Sequence, residues 1–136
     1  MDSRSAGITE LSRGLAGYLR AVAGAVGVPE EATSFEISDT ATAYLGLSRR
    51  WPARPGEDLM LVWSEGNGWA VAVETAPGEP PMVLAWLGGT DAVPEPAVVA
   101  RFVTDVIAAD RSSDPRPVFA MDLGRTGLAV RLAQYL

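Results

Sequence analysis

At 136 residues the chain fits one domain, long enough to bury roughly 65–70% of the surface its unfolded form exposes. It has no His, no Cys and no Lys, and all 11 basic residues are Arg, against 17 Asp and Glu, for a net charge of −6. This composition removes imidazole bases, thiolate nucleophiles, Schiff-base amines, disulfides and soft metal ligands. The acidic balance also speaks against a general nucleic-acid or anionic-membrane binder.

Residues 8–26 predict an amphipathic helix, with Ile8, Leu11, Leu15, Leu19, Val22 and Val26 at three- and four-residue spacing. Ser5 or Thr9 can cap its start, Gly27 and Pro29 end it, and residues 1–7 ahead of it are expected to be flexible. A second stripe, Gly14, Gly17, Ala21 and Gly24, has two readings. The plainer is close packing against another element of the same chain. The sharper is a homodimer contact or a ligand lying on bare backbone. Residues 34–47 alternate and read as one bent strand or two short ones, with the bend at Asp39-Thr40. Residues 49–58 hold Pro52, Pro55 and Gly56 and read as a loop.

Two strands, 59–64 and 69–75, flank Glu65-Gly66-Asn67-Gly68, whose glycines suit a tight hairpin. A third strand is expected over 82–87. A helix follows, with Pro96 in its first turn and Val99, Phe102, Val103, Val106 and Ile107 on one face. Residues 110–117 read as a loop, 118–121 as a short strand and 126–136 as a last helix. The fold class is therefore α+β in a single domain, 1–136. An antiparallel meander of three to five strands carries two long helices, in the order α-β-β-β-β-α, plus a short C-terminal strand–helix unit.

Alternation with a four-residue turn places Met60 and Val62 on one face with Trp69, Val71 and Val73, and Leu59, Leu61 and Trp63 on the other with Ala70, Ala72 and Glu74. Neither face is polar, so both need covering: one by the helices, the other by the C-terminal segment, a second subunit or a ligand. A Trp beside small Ala residues, edged by a carboxylate, makes either an ordinary core or a groove with one polar feature.

Arg49-Arg50-Trp51-Pro52-Ala53-Arg54 is the one basic cluster. It is either a solvated loop neutralised by Glu57 and Asp58 or an anchor for a phosphate, a carboxylate or an acidic partner segment. Gly124-Arg125-Thr126-Gly127 reads as a helix entry, because the Lys and the spacing of a phosphate-binding loop are missing. No carboxylate pair is diagnostic, and no Asp-x-Asp or calcium-loop spacing occurs. No catalytic residue, metal ligand or cofactor is therefore assigned. The one enzyme class that suits these residues is a cyclase acting by enclosure and orientation.

Five stretches carry a family resemblance: Thr42-Ala43-Tyr44-Leu45-Gly46-Leu47; Asp58 with Leu61-Val62-Trp63-Ser64-Glu65; Gly68-Trp69-Ala70 running to Glu74-Thr75; Leu84-Ala85-Trp86-Leu87-Gly88-Gly89; and Pro96 with Val99-Ala100-Arg101-Phe102-Val103. In these the chain resembles a family of small uncharacterised actinobacterial proteins, domain-of-unknown-function family 6292, over residues 10–108. The resemblance implies an actinobacterial source, in keeping with the use of Arg for Lys, and it implies no activity.

The expected function is a non-enzymatic binding or accessory module, homodimeric or holding a protein partner. The alternative is a small-molecule-binding protein or cyclase with a Trp-lined apolar pocket. Candidate binding residues are Trp63, Trp69, Glu74, Trp86, Arg49, Arg50, Trp51 and Arg54. Met1-Asp2-Ser3-Arg4 carries no signal pattern and no apolar run nears the ~20 residues of a span, so the cytoplasm is the expected location, with no membrane and no nucleic acid as partners.

Overall fold

A computed structural model of the chain describes residues 3–51, 54–73, 82–89, 91–108, 114–119 and 124–136. Helix α1 (Ser3–Val26) takes in residues 3–7, ahead of the start expected at residue 8. Leu11, Leu15, Tyr18, Leu19, Val22 and Ala23 form its buried face. It ends at Gly27, whose φ of 93° is left-handed, while the Val28 N–H reaches back to the Ala23 carbonyl at 3.0 Å. The Gly27 N–H donates to the same carbonyl at 2.8 Å, so the two bonds close the helix end on one acceptor.

Five strands follow: β1 (Thr33–Ile37), β2 (Ala41–Trp51), β3 (Arg54–Ser64), β4 (Gly68–Val73) and β5 (Met82–Trp86). They form one antiparallel sheet in sequence order, the meander expected from the short connections. The bend between β1 and β2 falls at residues 38–40, as the Asp39-Thr40 reading has it. Helix α2 (Pro96–Ile107) buries Val99, Phe102, Val103 and Val106. Helix α3 (Gly124–Leu132) runs into a 3₁₀ turn, Ala133–Tyr135. α1 is the middle of the helical layer: it packs on α2, on α3 with its 3₁₀ turn, and on β1, while α2 also packs on β4.

Three expectations change. Residues 49–51 and 54–58 lie in β2 and β3 and not in a loop, and residues 52–53 lie outside the described residues. β2 and β3 continue as a two-stranded ribbon beyond the ends of β1 and β4, with Arg50 opposite Asp58 and Trp51 opposite Arg54. Two register breaks fall in this stretch. Proline and glycine are tolerated here because the register breaks already interrupt the ladder. Val118 and Phe119 do not form a strand; the sheet contact of this segment is a single bridge from Asp114 to Trp86, and residues 120–121 lie outside the described residues.

The third change is the assignment of faces. Ser64 pairs with Gly68, Trp63 with Trp69, Leu61 with Val71 and Leu59 with Val73. The turn therefore holds three residues, not four, and Gly68 closes it with φ 73°. Three-residue hairpins are built this way, from a turn followed by one left-handed residue. A one-residue change of loop length moves every side chain of one strand to the opposite face. Leu59, Leu61, Trp63, Trp69, Val71 and Val73 thus share the helix-covered face and the core. Met60, Val62, Ala70, Ala72 and Trp86 take the other.

The glycine stripe of α1 is split by the structure. A Cβ on Gly14 would stand 2.9 Å from the Leu132 Cβ, and one on Gly17 would sit on the Tyr135 carbonyl oxygen, whereas Gly24 has open space. At Gly14 and Gly17 the close-packing reading holds, and the neighbour is the chain's own C-terminal segment. Gly17→Ala gains about 1 kcal/mol of helix propensity but must displace backbone, so a net loss of about 1–3 kcal/mol is expected. Gly24→Ala meets nothing and is expected to gain about 0.5–1 kcal/mol. Thermal unfolding of the two variants checks the opposite signs.

Candidate functional site

Among the sequence-predicted site residues, Trp63 and Trp69 come together in the core. Their rings lie 6.4 Å apart, tilted by 49°, and both are at most 2% exposed. They belong to the core beneath the helices, so the Trp-bearing face is the inner face of the sheet. Trp86 lies on the opposite face, half-buried, with the Arg116 guanidinium 5.9 Å from its ring centre. Arg49, Arg50, Trp51 and Arg54 sit on the backbone of the β2–β3 ribbon, away from the core tryptophans in the ladder. Glu74 lies outside the described residues.

The indole N–H groups show what the core tryptophans do. Trp63 Nε1 donates to the Ala92 carbonyl at 2.7 Å. Trp69 Nε1 donates to the Tyr18 hydroxyl at 3.1 Å, and that hydroxyl donates onward to the Pro94 carbonyl at 2.5 Å. Arg131 of α3 donates to the Val93 carbonyl at 3.0 Å and pairs with the Asp91 carboxylate. Asp91 in turn accepts the Val93 N–H at 2.9 Å. The connection 91–95 between β5 and α2 is therefore held by side chains from β3, α1 and α3. Buried polar groups must find partners or forfeit their hydration. Here each one is spent on the chain itself.

The Tyr18 hydroxyl is pushed well above the ordinary tyrosine value, chiefly by burial and against the bond from Trp69. It keeps its proton and acts as a donor, not as a base. Tyr135, whose ring lies 4.8 Å from that of Tyr18, is displaced in the same direction by burial.

A second internal clasp uses Glu65, the one charged side chain buried among the described residues. Its carboxylate accepts the Ala41 N–H at 2.8 Å, and its own N–H donates to the Ala41 carbonyl at 3.0 Å. The side chain thus extends the β2–β3 ladder by one rung at the hairpin end. Sequence reasoning passed over Glu65 because a Glu in a turn reads as solvated. It passed over Tyr18 although that residue keeps the apolar spacing with Leu11 and Leu15.

The outer sheet face is partly covered from within. Asp114 donates its N–H to the Trp86 carbonyl and accepts the Gly88 N–H at 2.9 Å. Asn67 donates to the Pro117 carbonyl at 2.8 Å, the Phe119 N–H donates to the Gly66 carbonyl at 2.8 Å, and the Phe119 ring lies against Gly68. Residues 114–119 therefore strap the edge of β5 to the β3–β4 turn. Of the three covers expected for this face, the C-terminal segment supplies this part.

Among the described residues, shallow depressions include one of about 270 Å³ between α1 and the C-terminal turn and one of about 360 Å³ along β1 and β2. Neither touches a tryptophan. No group of three or more metal-ligating side chains gathers among the described residues. No helix there is long and apolar enough to cross a membrane.

Two outcomes follow from these clasps. Tyr18 ionises less readily folded than unfolded, so its contribution is complete below about pH 10 and declines as pH rises beyond that. Tyr135 adds a change of the same sign. Tyr18→Phe should flatten part of this alkaline slope and cost about 1–3 kcal/mol at neutral pH, since Trp69 and Pro94 lose their partner; denaturant titrations at several pH values read both effects. Glu65→Gln retains a carbonyl for the Ala41 N–H and should unfold near the parent temperature. Glu65→Ala orphans that N–H and should cost about 1–3 kcal/mol.

No curated protein and no solved structure matches the chain. A family model does match, over residues 18–105, which run from Tyr18 through the whole sheet and most of α2. With well over half its length matched, the chain belongs to the family of unknown function DUF6292.

Proposed function

We propose that the protein is a non-enzymatic binding or accessory module that holds a protein partner, a second copy of itself included, in the cytoplasm. The observation that carries this reading is the internal use of the core. Trp63, Trp69 and Tyr18, the large aromatic groups that might have lined a ligand pocket, pack on one another and bond to the 91–95 connection. The same packing removes the support for a Trp-lined small-molecule or cyclase site at Trp63 and Trp69. What is left for recognition is surface: the β2–β3 ribbon with its four predicted anchors, the outer face around Trp86, and the open side of the sheet at β1. The composition agrees, since it holds no His, Cys or Lys and so no imidazole base for its Ser and Thr hydroxyls.

Native mass spectrometry of the protein isolated gently from its own host tests the reading. A stoichiometric dimer, or a complex with a second protein, is the expected result. A bare monomer, or a monomer carrying one discrete small-molecule mass, contradicts it.

A further inference from the structure

The two edges of the sheet are finished differently. β5 is interrupted by a register shift between Val71 and Ala72, and its outer side is bridged at Trp86 by Asp114. Bulges and covering segments of this kind are how proteins close an edge to other strands. β1 pairs with β2 over all five residues with no shift, and none of Thr33-Ser34-Phe35-Glu36-Ile37 is Pro, Lys or Arg. Its central Phe35 is 37% exposed.

The direction of the backbone groups of β1 can be worked out. Ala41 exchanges both of its peptide groups with Glu65, so they point toward β3. Alternation turns those of Thr42 and Tyr44 toward β1, where they meet Glu36 and Ser34. The N–H and C=O groups of Phe35 and Ile37 therefore point away from the sheet. The Thr33 N–H is already taken by the Glu30 carbonyl, which among the described residues leaves the Phe35 and Ile37 amides and the Thr33, Phe35 and Ile37 carbonyls for a sixth strand.

Charge decides the occupant. Glu31, Glu36 and Asp39 are exposed along this edge, and Glu30 is neutralised by Arg20 at 3.4 Å. An antiparallel second copy centred on Phe35 brings Asp39 of each chain to Glu31 of the other. A two-residue slip sets Glu36 against itself, and a slip the other way runs into the 3₁₀ turn Glu30–Ala32. Like charges directly opposite destabilise strand pairs. We propose that β1 is a β-augmentation edge for an extended segment of another protein, with an apolar residue beside Phe35 and basic residues at both ends to meet Glu31 and Asp39. This rests on the binding-module reading and names the surface and the chemistry of the partner.

The probe is a labelled nonapeptide amide, Arg-Thr-Val-Thr-Val-Thr-Val-Thr-Arg, whose central Val lies beside Phe35 and whose ends reach Glu31 and Asp39, with Glu at both ends in the control peptide. It is titrated against the full chain by fluorescence anisotropy, with residue-resolved amide exchange. In the free protein the Phe35 and Ile37 amides should exchange fast and those of Ser34 and Glu36 slowly. The basic peptide should slow Phe35 and Ile37 selectively, bind about tenfold or more tighter than the acidic one, and weaken with salt.

Ile37→Pro removes an outward donor without touching a β2 bond and should cut binding about tenfold. The pair Glu31→Arg with Asp39→Arg, which leaves the backbone intact, should reverse the preference between the two peptides. Equal binding of both peptides, protection elsewhere in the chain, or Phe35 and Ile37 amides already slow in a dimer overturns the assignment. A native complex with a second protein in which those two amides still exchange fast overturns the edge alone. A bare monomer from the native host overturns the module reading beneath it.

Discussion

Side chains from the sheet, α1 and α3 converge on five residues, 91–95, that have no regular structure of their own. Trp63 holds Ala92 from the sheet, Tyr18 holds Pro94 from α1, and Arg131 holds Asp91 and Val93 from α3. Val93 itself is 1% exposed and part of the core. A connection drawn onto the core this way would ordinarily leave part-buried carbonyls without partners. The three donors remove that cost, and in doing so they fix where α2 starts, how α1 lies over β4 and where the last helix comes to rest. The Arg131–Asp91 ion pair contributes little by its charge, since both side chains are about half exposed. Its worth is positional, because the same guanidinium also holds the Val93 carbonyl.

The fold was open to reading from the sequence wherever hydrophobic period carried the signal. α2 begins at the Pro96 marked as its first turn, and α1 ends at the Gly27 marked as its stop. The order of strands followed from connection length. What failed was anything that depends on counting residues through a turn. Gly66-Asn67-Gly68 announces a hairpin but is compatible with loops of three or four residues, and only the left-handed Gly68 decides between them. The error was small in sequence and total in consequence, since it moved Trp69, Val71 and Val73 to the wrong side of the sheet.

The placement of the candidate tryptophans was harder to read for a related reason. Tryptophans attract attention as recognition residues because they are large and carry one polar atom. Their indole N–H groups are equally able to secure a buried loop, and that choice depends on contacts 29 and 51 residues away in the chain, which no local pattern records. The open edge at β1 went unnoticed for the opposite reason. A strand reads alike in sequence whether one neighbour or two lie beside it. Only the sheet order shows that β1 has one, and only the bonding of Ala41 shows which of its amides are spare.

The most direct measurement is a double-mutant cycle between Trp63 and Tyr18, using Trp63→Phe, Tyr18→Phe and the pair, read as unfolding free energies at neutral pH. If both side chains secure the same connection, the losses are coupled by about 0.5 kcal/mol or more, because the second deletion acts on a loop already released by the first. Losses that add to within about 0.3 kcal/mol would mean that the two bonds act independently and that the 91–95 connection is not the element on which the helical layer is set.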